Sequence, residues 1–150
     1  MIKSRMIAVA LALASAQALA AESSITKSLK PDNIVIATRG IASSQFHIAR
    51  SDFPNQVMIA ATKTIRSVSW DVTRYPDNLG ETIDICYSRP YNTSWFEHCR
   101  RVDGPTGSTS EFNAYRFDIG AKFVIQHRVS GGKNHSAAVG LDTLTINYNY

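Results

Sequence analysis

IRSVSWDVTR (65–74), YPDNLG (75–80) and ETIDICYSRPYNTSWFEHCRR (81–101) form the stretch whose reading decides the fold. In the first run Val68, Trp70 and Val72 alternate with Ser67, Ser69, Asp71 and Thr73. A period of two puts one set on a dry face and the other on a wet one, as in a half-buried strand. Tyr75–Gly80 supplies turn chemistry, because Pro76 fixes one φ and Gly80 is free to take a positive one. The chain returns through Thr82–Tyr87, with Ile83, Ile85 and Tyr87 on one face and Cys86 on the other. The second of the chain's two cysteines is Cys99. Ile65–Arg101 therefore reads as two strands closed by a cysteine loop.

The same alternation recurs outward from this stretch. Asn33–Thr38 (NIVIAT) and Val57–Ala61 are short apolar runs that read as strands. Asn113–Asp118 places Tyr115 and Phe117 on one face. In Lys122–Val129, Phe123, Ile125, His127 and Val129 alternate with Lys122, Val124, Gln126 and Arg128. The closing LDTLTINYNY aligns Leu144, Ile146, Tyr148 and Tyr150. Ala21–Asp32 is polar and reads as a loose lead-in. Arg39–Asn55 offers Phe46, Ile48 and Phe53 to a core, but Gly40, Ser43, Ser44 and Pro54 interrupt any regular element. Asp103–Phe112 (DGPTGSTSEF), with two glycines and a proline within five residues, reads as a loop. Short strands at turn-marked spacing predict an all-β chain: a single antiparallel β-sandwich, or a small barrel, of about seven or eight short strands with one disulfide.

Met1–Ala20 reads as a cleaved signal peptide. Lys3 and Arg5 form the positive region, Met6–Ala16 the apolar one, and Ala18-Leu19-Ala20 the small-x-small cleavage site. The apolar core is shorter than the ~20 residues a spanning helix needs. The predicted domain is 21–150. The formal charge of +4 falls to +2 without Lys3 and Arg5, since 14 cations then face 12 carboxylates. Those charges are scattered, without the basic stripe that tracks phosphates, so no nucleic-acid partner is expected. No later stretch approaches transmembrane length, so no membrane insertion is expected. In an exported chain two cysteines most simply form one bridge. A Cys86–Cys99 disulfide would close a loop of 12 intervening residues, worth ~3 kcal/mol in the chain-entropy model. His98 adjoins Cys99, but no second pair stands at ligand spacing, so no metal and no cofactor are expected.

The sequence assembles no catalytic centre. There is no G-x-S-x-G elbow and no glycine-rich phosphate cradle. Asp71, Asp84 and Asp118 read as wet-face carboxylates, and nothing pairs them for glycoside hydrolysis. His127, on the apolar side of its strand, reads as a satisfied core histidine, whereas His47, His98 and His135 stand apart. The cysteine loop is the most distinctive local feature. Tyr87, Arg89, Tyr91, Trp95, Phe96 and His98 cluster in or beside it. Aromatics beside arginine are the stuff of binding hot spots, so these six are the candidate partner-binding residues. Trp95 and Phe96 folded inward to cap the sandwich is the competing reading.

Taken together, VSWDVTR (68–74), Cys86 and Cys99, VDGPTGSTSEF (102–112), KFVIQHRVSGG (122–132) and LTINY (144–148) resemble the flagellar FlhE family of small exported proteins. Gly107, Thr109 and Phe112 match that family's G-x-T-x-x-F-like loop, and Ile146, Asn147 and Tyr148 its closing strand. This chain departs by a longer inter-cysteine loop and by Asn149-Tyr150. The resemblance implies a periplasmic β-sandwich without enzymatic activity and without catalytic residues, an accessory of flagellar assembly. Its implied role is to limit proton leak through the export apparatus, or to act as a chaperone for rod or filament components. The implied partner is a rod, filament or export-gate component in the periplasm, and an exposed edge strand would let a partner strand, or a second copy of this chain, pair with it. The alternative is a periplasmic binding module or inhibitor, for a lysozyme or a glycan, that uses the loop aromatics. An outer-membrane barrel and a hydrolase are weaker readings, for want of long apolar-faced strands and of an assembled site.

Overall fold

The computed structural model describes residues 20–113 and 115–150. The signal peptide read over Met1–Ala20 thus lies outside the described residues, Ala20 apart. The main elements are β1 (Glu22–Leu29), β2 (Ile41–His47), α1 (Gln56–Ala60), β3 (Lys63–Asp71), β4 (Thr82–Ser88), β5 (His98–Val102), β6 (Thr106–Thr109), β7 (Lys122–Arg128) and β8 (Asp142–Asn149). One antiparallel sheet runs β1-β8-β3-β6 in space, with the two-residue strand Arg116–Phe117 also pairing on β3. The other runs β2-β7-β4-β5.

The alternation read from the sequence is the alternation that packs. Ile25, Ile146 and Val68 lie side by side across the first sheet, and Phe46, Phe123 and Tyr87 across the second; all six are buried in one core. Each sheet ends in open edges, β1 and β6 in one, β2 and β5 in the other, so the fold is a sandwich and not a closed barrel. Ser24, Thr26, Ser28, Thr143 and Thr145 turn their hydroxyls outward from the first sheet, which presents no apolar band to lipid.

Six stretches fold otherwise than their local pattern predicts. The first is Arg39–Asn55, where β2 (Ile41–His47) runs through Ser43 and Ser44 because its backbone pairs along its whole length with β7. Ala21–Asp32 is no loose lead-in: β1 pairs along its whole length with β8. Only Ile25 of β1 is buried, and the strand is held by backbone pairing and by hydroxyl contacts between Thr26 and Thr145 (2.9 Å) and Ser28 and Thr143 (2.7 Å). Val57–Ala61 is not a strand but most of α1. The Asn55 side chain accepts from the Met58 amide at 2.9 Å, the standard N-cap contact. The turn's far end is held by Lys63, whose buried ammonium donates to the carbonyls of Met58 and Ala61, each at 2.7 Å. Five residues cannot form a stable helix alone, so these two polar anchors override β-branched propensity. The loop read over Asp103–Phe112 contains β6, because Gly107 lets the strand lie against the Trp70 indole. A Cβ at Gly107 would stand 2.4 Å from Trp70 Cζ2. The strands read at Asn33–Thr38 and Asn113–Asp118 contract to Ile34–Val35 and Arg116–Phe117.

Two buried cations stand at opposite ends of the sandwich, and the first of them ties the two sheets together. At one, His127 of β7 is fully buried, with Nδ1 2.8 Å from Glu81 Oε1 and Nε2 2.9 Å from Asp142 Oδ2. Asp142 also accepts from Ser44 Oγ at 2.7 Å and from the Thr73 amide at 3.0 Å. At the other, Lys63 pairs with Asp118 at 3.2 Å beneath the Phe53 ring. Burial on its own would push the His127 proton off. The hydrogen bonds and charges of Asp142 and Glu81 outweigh it and raise the pKa from 6.5 to about 9.

Because the folded-state value lies above the unfolded one, this contribution is complete below about pH 6.5 and is lost as pH rises through about 9. At ~1.4 kcal/mol per tenfold change in proton affinity, it is on the order of 3 kcal/mol. Urea unfolding should therefore show a lower stability at pH 9.5 than at pH 6, and the His127 Cε1–H resonance should titrate near 9. A resonance titrating near 6.5 would contradict this account.

Candidate functional site

The loop Arg89–Glu97 joins β4 to β5 at the Lys63 end of the sandwich. Its base is fixed by register: Cys86 and Cys99 are direct cross-strand partners and are joined by a disulfide. Above the bridge the loop is tied to itself. The Arg89 amide donates to Glu97 Oε2 at 3.0 Å and Arg89 Nε to Glu97 Oε1 at 2.5 Å. The Asn92 and Ser94 side chains accept from the amides of Ser94 (2.9 Å) and Phe96 (3.1 Å), turns of the kind these residues favour. The backbone bond from Arg89 acts most strongly on the Glu97 carboxyl. Although burial opposes it, the side-chain bonds of Arg89 and Asn92 and the charge of Arg89 add to it and hold the group at about 2.

The six residues read as partner-binding separate into three groups. Tyr87 is corrected outright: it points into the core, fully buried, and donates its hydroxyl to the Arg116 carbonyl, so it cannot touch a partner. Its place on the Ile83–Ile85 face already carried that signal. Trp95 and His98 are half-buried supports. Trp95 lies over the outer face of the second sheet, edge-on to His47 at 4.5 Å and beneath the Lys122 ammonium at 4.7 Å. This cover accounts for the burial of Lys122, which alternation had placed on the wet face. His98 stacks on Tyr115 at 4.0 Å. Arg89, Tyr91 and Phe96 face solvent, Tyr91 being 84% and Phe96 50% exposed. Beside them the fold brings Arg116, far away in sequence. Together with Pro90 and Asn92, Arg89, Tyr91 and Arg116 line a cleft of about 510 Å³.

The His127 cluster joins a serine, a histidine and two carboxylates, but not as a nucleophile relay. Ser44 donates to Asp142, not to the imidazole, and both ring nitrogens are engaged by carboxylates. No ring nitrogen is left to accept a hydroxyl proton, as a general base must. Among the described residues no group of three or more His, Cys, Asp or Glu side chains could hold a metal ion. No helix of the described residues is long and apolar enough to cross a membrane.

No family model matches the chain, and no curated protein matches it. Among solved structures it is similar to a crystal structure of FLHE, with a TM-score of 0.58 and 17% sequence identity, over 87% of this chain and all of that one. The likeness establishes an FlhE-like fold.

Replacing both cysteines by alanine should lower stability by about 3 kcal/mol, the value for closing a loop of this length. Equilibrium unfolding in denaturant measures it. The Lys122–Trp95 contact should loosen with the loop, which would appear as a red shift and increased quenching of Trp95 fluorescence. Unchanged stability would show that strand pairing alone fixes the base of the loop.

Proposed function

We propose that this protein is a non-enzymatic periplasmic accessory of flagellar assembly. The observation that carries the reading is the FlhE-like fold over 87% of the chain, including all of the compared structure. The Cys86–Cys99 disulfide is consistent with an oxidising compartment such as the periplasm. The finer role follows the family resemblance: limiting proton leak through the flagellar export apparatus, or acting as a chaperone for rod or filament components. A chaperone role suits a rigid sandwich that presents an exposed loop and open edge strands. Of those edges only β1 carries a lysine and none a proline, the usual guards against strand addition, so a flagellar component or a second copy of this chain would pair at β2, β5 or β6.

The second reading, a periplasmic inhibitor or glycan-binding module, draws on the exposure of Tyr91 and Phe96. It loses Trp95, whose ring is occupied by His47 and Lys122.

Deleting the gene in its native host and imaging the cells by electron microscopy tests the proposal. Filaments growing in the periplasm, or an altered filament number, each restored by the intact gene, are the expected outcome. A normal complement of external filaments would overturn it in favour of the inhibitor or glycan reading. Cytoplasmic pH measured in the deletion strain during external acidification separates the two finer roles, since only the leak role predicts faster acidification.

A further inference from the structure

Tyr91 adopts φ 65°, the one left-handed backbone among the described non-glycine residues. For a bulky aromatic this is an unfavourable conformation, kept only where its surroundings over-determine it. Packing does not repay it, because the side chain is 84% exposed. What enforces it is the loop itself: the Asn92 amide donates back to the Arg89 carbonyl at 3.2 Å, and the Glu97 carboxylate holds Arg89 at both backbone and side chain. The covalent base and the seated Trp95 complete the clamp. The sequence thus builds a rigid loop whose geometry holds an aromatic ring in solvent.

The charged side chains that line the adjoining cleft are both guanidinium groups, those of Arg89 and Arg116, with side chains 61% and 67% exposed. Their carboxylate partners, Glu97 and Asp118, stand outside the lining. A guanidinium has five N–H donors in a planar fork. Arg89 engages Nε and one terminal nitrogen with Glu97, and Arg116 one terminal nitrogen with Asp118, so each keeps donors for a further acceptor. Planar donors beside an aromatic ring and the Pro90 ring match a carboxylate next to an apolar side chain.

We propose that Tyr91, Arg89 and Arg116 form a preformed docking site for an acidic, apolar-containing segment of a partner protein. This deepens the accessory reading by giving its partner a chemistry. Because the loop is already rigid, binding forfeits little conformational freedom, which favours affinity from a small surface.

The test uses the full disulfide-bonded protein, labelled with ¹⁵N, and three probes: a capped peptide of alternating Asp and Phe, its Lys–Phe counterpart, and a neutral chitin oligosaccharide. The acidic peptide should shift the amides of Arg89, Tyr91, Asn92 and Arg116, and should bind at least tenfold more weakly at 0.5 M than at 0.05 M salt. Tyr91→Gly and Arg116→Gln should each weaken it tenfold or more. Tyr91→Gly should leave the unfolding midpoint unchanged or higher, because glycine accepts the left-handed backbone that tyrosine resists. Equal binding of the lysine peptide or the oligosaccharide in the cleft would overturn the proposal. So would undiminished binding by the two variants, or a midpoint lowered by Tyr91→Gly, which would make Tyr91 a structural residue. None of these results bears on where filaments grow in the deletion strain, so the two readings fail separately.

Discussion

Asp142 is the point on which the two sheets are fastened. It opens β8 in the first sheet, is fully buried, and takes hydrogen bonds from Ser44 of β2 and His127 of β7 in the second sheet, and from the Thr73 amide beyond the end of β3. A buried carboxylate with no partner would be severely destabilising, and a buried imidazolium equally so. Here each is the other's remedy, with Glu81 closing the remaining ring nitrogen. An apolar contact tolerates sliding, but a network of directional bonds does not. Asp142 therefore fixes how β7 and β8, the central strands of the two sheets, lie over one another.

Lys63 organises the other end, where its contacts lead to the candidate cleft. Its ammonium gathers the last carbonyls of α1 and the Asp118 carboxylate, and Asp118 in turn pairs with Arg116 at 3.3 Å. Burial tends to raise the Asp118 pKa, but the Ile119 amide, Lys63 and Arg116 outweigh it and hold the carboxylate below its usual range. One face of the candidate cleft is thus set by a chain of contacts that begins at a buried cation in the core, and the other by the disulfide and the Glu97 clamp.

What the sequence discloses is what depends on near neighbours. The period-two pattern of Val68, Trp70 and Val72 marks a strand because a pleated strand with one buried face imposes that period. The closing run is legible for the same reason. The pairing of Cys86 with Cys99 follows from a count of two. β1 is not legible, because its stability lies in β8, whose hydroxyls meet those of Thr26 and Ser28 more than 100 residues away. Nor is α1, whose C-terminal anchor lies outside the helix in the next strand. The candidate site divides likewise. Arg89, Tyr91 and Phe96 are local to the cysteine loop, whereas Arg116 joins them only through the fold. Tyr87 shows the opposite failure, since its even spacing from Ile83 and Ile85 outweighs its closeness to the loop.

The charges at the two ends respond to pH in different ranges. The Arg89–Glu97 clamp holds Glu97 at about 2 and keeps Arg89 above its ordinary value, so both remain charged through the range in which most proteins are folded. His127 loses its proton near 9, and Glu81, although burial opposes it, is kept ionised below its usual range by His127. Loss of charge on the alkaline side therefore begins in the sheet-to-sheet fastening and not in the loop. The exposed loop, in which no residue is fully buried, is made rigid by covalent and ionic ties that do not titrate in that range. The deeply buried end relies on a proton that does.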